Sequence, residues 1–370
     1  MRLYRKAFLF LGKITTYEKH AIYNSNDLFL FSCKKQEEIP QRQYAKFWKK
    51  DIIVDSTLSI RAFEVIDGNV YYASGDGKNG IILEDGSRVH GLVYSDSMDY
   101  AFRSSAFNER NLFFMSIESP ALIYKLDYHK NNEVYLSHNL VYQENHPKAF
   151  YDSMDFWNND EGIAIGDPTD DCMSIIITRD GGETWTKLSC DDLPKAKKGE
   201  AAFAASDTNI AIIGDHTWVA TGGKASRVLY SSDKGKTWEV YDTPITQGKE
   251  TTGIYSLDFY DDKNGFAIGG DYTKPNDTLN NKIRTGDGGK TWQVVAKGKG
   301  PGYRSCVQYI PNSNAKELVA VGFKGINYSN DAGNTWSHLS DEGFYTIRFI
   351  NDSVAYAAGK GRISKLTFRE

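Results

Sequence analysis

Arg61, Arg103, Asp152, Glu200, Tyr255, Ser305 and Tyr345 fall at one level of a repeated pattern in this 370-residue sequence, and Arg304 is the neighbour of Ser305. The residue types suggest two chemistries. A guanidinium donates two parallel hydrogen bonds, so clustered arginines suit a carboxylate or a sulfate. Tyr345, Tyr255, Glu200 and Asp152 have the side chains of nucleophiles and general acid–base groups, which makes them the catalytic candidates. A second set, Asp167, Asp215 and Asp271, follows glycines that end strands on the same face and would suit sugar hydroxyls or a basic partner. The expected ligand-binding group is therefore Arg61, Arg103, Arg304, Glu200, Asp167, Asp215 and Asp271. The competing reading is a wet channel of paired charges, with aspartates capping turns.

Other chemistries find little support. Gly75-Asp76-Gly77-Lys78-Asn79-Gly80 fits G-x-G-x-x-G, but that fingerprint needs a following helix to hold pyrophosphate, and here it lies between two strands. A nicotinamide site is rejected, and no cofactor is expected. The histidines at 20, 90, 129, 138, 146, 216 and 338 show no paired ligand spacing and the cysteines form no C-x-x-C, so no metal is expected. A net charge of −4 and a pI near 6.0 give no reason to expect nucleic acid. No apolar run reaches the length of a membrane span.

The elements that must position these residues are repeats. Thr285-Gly286-Asp287-Gly288-Gly289-Lys290-Thr291-Trp292 has three further copies, carrying Asp180 and Trp185, Asp233 and Trp238, and Asp331 and Trp336. The template is [ST]-x-D-x-G-x-T-W, a hairpin tip: Asp accepts hydrogen bonds from its own turn, Gly supplies positive φ, and Trp opens the next strand. These aspartates and tryptophans are read as structural. A motif recurring about every 50 residues in a β-rich chain predicts a propeller. A second signal is a ten-residue step of strand, Asn/Asp turn, strand and glycine, as in Phe156–Gly166 and Phe259–Gly269. Seven units are expected, beginning near residues 60, 101, 150, 199, 253, 302 and 343. The last has three strands, and Phe47–Val54 supplies the fourth, closing the ring from both chain ends. The fold class is all-β, a seven-bladed propeller.

Over residues 46–370 the sequence resembles the BNR or Asp-box propellers, of the YVTN/WD40-like kind, related to photosystem II assembly factors and more distantly to sialidases and sortilins. Gly199–Ser206, Ala220–Lys224 and Gly302–Ser305 look like the bacterial branch, whose members are often labelled oxidoreductase or glycosyl hydrolase. The resemblance implies the fold and says little of activity; a rigid ring with variable loops suits a non-catalytic binding propeller that holds a protein or glycan partner as an assembly or scaffold factor. The alternative is a sialidase-like glycoside hydrolase, using a Tyr nucleophile assisted by a Glu with arginines on the substrate carboxylate. No Arg-Ile-Pro signature supports the alternative, and whether the chain is an enzyme stays open.

Residues 1–45 show no repeat. Leu30-Phe31-Ser32-Cys33-Lys34-Lys35 resembles a lipobox with a lysine flank, but the apolar run before Cys33 is short. The expectation is an envelope protein, lipid-anchored or secreted, with the cytoplasm as the other option, and a monomer. Cys172 and Cys190 flank the first hairpin tip symmetrically and are expected to face each other, able to bond in an oxidising compartment. Cys33 and Cys306 are expected not to pair.

Overall fold

β-Branched and aromatic runs separated by Asn, Asp and Gly turns become short antiparallel strands, and no helix forms among the described residues. The computed structural model describes residues 42–44, 46–91, 93, 100–127 and 138–370. The lipobox-like stretch and Cys33 lie outside the described residues.

The inner strands touch in chain order around a closed ring. Lys46–Ile66 meets Phe102–Phe107, followed by Tyr151–Phe156, Ile210–Ile213, Thr252–Phe259, Cys306–Tyr309 and Thr346–Phe349, which returns to Lys46–Ile66. From most of these, three further strands run outward. Phe102–Phe107, for example, pairs with Asn111–Ser116, then Ala121–Asp127, then His138–Glu144. Apolar clusters fill the space between neighbours. Phe113, Met154, Phe156 and Trp185 pack between the second and third units, and Trp218, Phe259 and Trp292 between the fourth and fifth.

The ring closes as expected: Lys46–Val54 pairs with Arg362–Arg369. The blade count is corrected. Counted as hydrogen-bonded sheets, the blades number six among the described residues, not seven. The cause is the 21-residue strand Lys46–Ile66. Its first half pairs with the C-terminal strand and its second half with Asn69–Ser74, so the expected first and last units form one six-stranded sheet. Register breaks between Val54 and Ser59, and Ile53, Tyr72, Ile82, Tyr356 and Ile363 pack together between the two halves.

The repeated hairpin tips share one hydrogen-bond pattern. In the third copy Thr285 Oγ1 donates to Asp287 Oδ1 at 2.8 Å, and the Thr291 amide and hydroxyl donate to the same carboxylate at 2.9 and 2.6 Å. The Gly289 amide returns to Thr285 Oγ1 at 3.0 Å, and the Trp292 indole donates to the Gly289 carbonyl at 2.9 Å. Asp180, Asp233 and Asp331 repeat the Asp287 bonds. Burial opposes ionisation of each, yet these donors hold all four carboxyls below the usual range. Glycine is required by position as well as by φ. Gly182 sits at φ +85°, and a Cβ there would meet the Phe113 ring of the preceding sheet at 2.4 Å. Each tip is closed by its own hydrogen bonds, and the glycine of its template packs against a neighbouring sheet.

Cys172 and Cys190 form a disulfide with Cα atoms 5.4 Å apart. The hairpin pairs Ile176 with Lys187, one residue out of the symmetric register expected, so the cysteines sit just beyond the strand ends rather than on them. Cys306 is free and buried.

Replacing Asp287 with Ala removes three donors' acceptor at one tip and is expected to cost about 1–3 kcal/mol of stability, read by chemical denaturation. A variant as stable as the parent would show that the tip does not hold the sheets together.

Candidate ligand site at the channel mouth

The segment Ala202–Asn209 decides what the middle of the ring can do. It leaves a two-residue ladder, Glu200–Ala201 on Gly222-Gly223, and reaches the inner strands of five sheets. Asp207, at φ +58°, accepts from Ser104 Oγ at 2.6 Å, Ser153 Oγ at 3.1 Å and the Ser105 amide at 3.0 Å. Arg348 stands 3.7 Å from its carboxylate and donates to its carbonyl at 3.2 Å. Thr208 reaches Ser256 Oγ at 2.8 Å and the Cys306 sulfur at 3.8 Å. The channel axis is therefore occupied by the chain itself.

Beside this stopper is an open cavity of about 640 Å³. Arg61 and Arg103 form one wall. The Arg61 guanidinium lies 3.9 Å from the centre of the Tyr345 ring and donates to Ser59 Oγ at 3.0 Å; Arg103 donates to the Ala204 carbonyl at 3.3 Å. Neither makes an ion pair among the described residues, and the Nε of each is buried without a partner. Burial, then the neighbouring Arg103, pulls Arg61 down to about 10, and burial also lowers Arg103. Both remain cations at neutral pH with donors to spare.

Aromatic rings form the other wall. Phe203 stacks on Tyr255 at 3.9 Å with 4° between planes, and Tyr303 stands edge-on to Tyr255 at 4.8 Å. Tyr272 and Phe323 are 48% and 44% exposed, large rings left open to water at the rim. Asp167 lines the cavity and accepts from the Ala202 amide at 2.7 Å; burial pushes its carboxyl up to about 6.

Of the expected ligand-binding group, Glu200, Arg304, Asp215 and Asp271 do not line this mouth, whereas the catalytic candidates Tyr255 and Tyr345 do. Glu200 is buried in a bidentate pair with Arg227, at 2.6 and 3.0 Å, and also takes the Thr221 hydroxyl and the Lys197 amide. Arg304 turns into its own sheet, donating to Asn327 Oδ1 at 2.6 Å and to the Tyr303 carbonyl at 2.7 Å. Asp215 is at the opposite end of its sheet. The unit expected to begin near residue 199 has its inner strand at Ile210–Ile213, so Asp215 occupies the first hairpin turn beside Lys234. Asp271 caps its own turn through Thr273 at 2.6 and 3.0 Å, and Asp152 is fully buried. Tyr255 donates its hydroxyl to the Thr251 carbonyl at 2.9 Å. The Tyr–Glu–three-Arg arrangement of the hydrolase alternative does not assemble. Sequence reasoning also missed Phe203, Tyr272, Tyr303 and Phe323, since isolated aromatics in loops give no periodic signal.

No protein-family model matches the sequence, and no curated protein does. Solved structures do. "YCF48 bound to D1 peptide" aligns over 90% of this chain and 98% of its own, at 14% identity and a TM-score of 0.62. YCF48 from Cyanidioschyzon merolae covers 87% and 98%, at 13% and 0.58. The WD40 propeller domain of Doa1 covers 89% and 96%, at 12% and 0.55. The chain is a β-propeller. At these identities the likeness establishes the fold, and this propeller's mouth has to be read from its own residues.

Arg304→Ala strands buried acceptors and is expected to lower stability by about 1–3 kcal/mol, whereas Arg103→Ala, which gives up one long hydrogen bond, is expected to cost about 1 kcal/mol or less. Thermal unfolding of the two variants side by side checks the assignment. Equal losses would place Arg103 in the framework.

Proposed function

We propose that this propeller is a non-catalytic binding module that holds an extended, acidic peptide segment of a partner protein at the mouth. The observation that carries the reading is the pair Arg61 and Arg103, two cations that line one open cavity with no ion-pair partner among the described residues. A largely desolvated cation without a counter-charge is costly, so the pair marks where an anion belongs. A carboxylate fits the fork of each guanidinium. The exposed rings of Tyr272 and Phe323 supply an apolar wall for a neighbouring side chain, as interface anchors do.

Likeness to YCF48, one structure of which holds a peptide, supports a peptide over a glycan. We read the hairpin tips as Asp-box joints that keep the mouth rigid. A rigid mouth lowers the ordering cost of binding. Placement in a bacterial envelope accords with the Cys172–Cys190 disulfide.

The reading is tested with an array of ten-residue peptides probed with the full chain, each peptide present with a free and an amidated C-terminus and with Asp/Glu replaced by Asn/Gln. Binders are expected to lose at least about tenfold in affinity when their carboxylates are neutralised, and to lose as much against Arg61→Ala or Arg103→Ala. Binding indifferent to peptide charge, or no binding by any acidic peptide, would overturn it.

A further inference from the structure

Asp152 is the buried titratable group that the binding site does not yet explain. It stands in the inner strand Tyr151–Phe156 with 0% of its surface exposed, and neither carboxylate oxygen has a hydrogen-bond partner. The Ala204 amide leans toward it without making a bond of normal geometry. An ionised carboxylate in such a place is strongly disfavoured, while a protonated one is tolerable.

The groups around it make the proton consequential. Of the elements packed on this strand, Phe102–Phe107 brings the cation Arg103, and the turn after Gly162–Gly166 brings Asp167. Ile210–Ile213 and Asn111–Ser116 bring no charged residue. The crossing segment brings Asp207, whose charge faces Arg348 and the serine donors. Within the cavity Arg61 adds a cation and Glu250 an anion. Glu118 bears on Arg103. Arg103 thus lines the cavity and lies within electrostatic reach of Asp152 on the neighbouring inner strand.

Resting on the binding reading above, we propose that Asp152 is a proton-binding site coupled to the mouth: an anion held by Arg61 and Arg103 requires Asp152 to be protonated. Ionised Asp152 competes with the anion for the Arg103 charge and, with Asp167, repels it. Burial first, then Asp167, holds the Asp152 carboxyl well above the usual range. The sign follows directly. Protonation favours anion binding, so affinity is highest at low pH and falls as pH rises through the carboxyl values, that of Asp167 being about 6.

Sulfate is the probe, because it keeps one charge state between about pH 5 and pH 8 and fits a guanidinium fork. Equilibrium dialysis of radiolabelled sulfate against the full chain across that range is expected to show affinity falling by about tenfold or more. Asp152→Asn is expected to retain binding with a shallower profile whose remaining fall is that of Asp167, and the Asp152→Asn, Asp167→Asn double variant to flatten it; a single variant with the parent's full slope would also overturn the inference. Should that variant fail to fold, carbon-13 titration of the parent's carboxyls reads the same coupling, since saturating sulfate must move the Asp152 midpoint upward. A flat parent profile, an unmoved midpoint or no retained sulfate overturns the inference. Sulfate binding with the expected slope but no acidic-peptide binding would sink the peptide reading and leave this one standing; peptide binding with a flat profile would do the reverse.

Discussion

A carboxylate buried at the axis of a ring must find donors on every side, and Asp207 does so from three separate sheets. Ser104 and Ser105 approach from one, Ser153 from the next, and Arg348 from the sheet that joins the chain ends. The arrangement fixes the segment that carries it. Once Asp207 is held, Phe203 is held against Tyr255 and the Ala204 carbonyl against Arg103. The floor of the mouth is therefore positioned from the centre of the molecule rather than by its own loop contacts. A loop anchored only at its ends would leave the same residues free to move.

That constraint also sorts the arginines. Arg227 is matched by Glu200 and Arg348 by Asp207, while Arg304, without a counter-charge, has its donors taken up by Asn327 and the Tyr303 carbonyl. Each is consumed by the framework, where an unsatisfied buried donor would be costly. Arg61 and Arg103 have a ring face and single oxygen acceptors instead of a counter-charge. They keep unused donors in a place open to a ligand. Function resides in what the framework leaves unsatisfied.

The sequence makes the repeats legible because their chemistry is local. Asp287 finds its partners within four residues in either direction, so a string of eight residues announces the turn. Closure by Phe47–Val54 is legible too, since a unit short of one strand has an open edge. The shared sheet is not, because continuity through Val54–Ser59 is a property of the backbone path and not of side-chain type. The site was half legible. Arg61 and Arg103 follow from strand periodicity, but Glu200, Arg304 and Asp215 were placed by the same periodicity and went elsewhere. In the fourth unit, where an inner strand was expected to begin near residue 199, Ala202–Asn209 is instead the stopper. Its only distinguishing mark is Asp207, whose partners lie 50 to 140 residues away in the chain.

The account rests on Arg61 and Arg103 being unpaired cations at the mouth and on Arg227, Arg304 and Arg348 being framework. The most direct measurement follows the side-chain Nε–H signals of the arginines by NMR during titration with an acidic peptide. Arg61 and Arg103 should shift together with one saturation curve, while Arg227, Arg304 and Arg348 stay in place. Saturable shifts confined to the buried arginines, or an unmoved Arg61 and Arg103 at saturation, would contradict it.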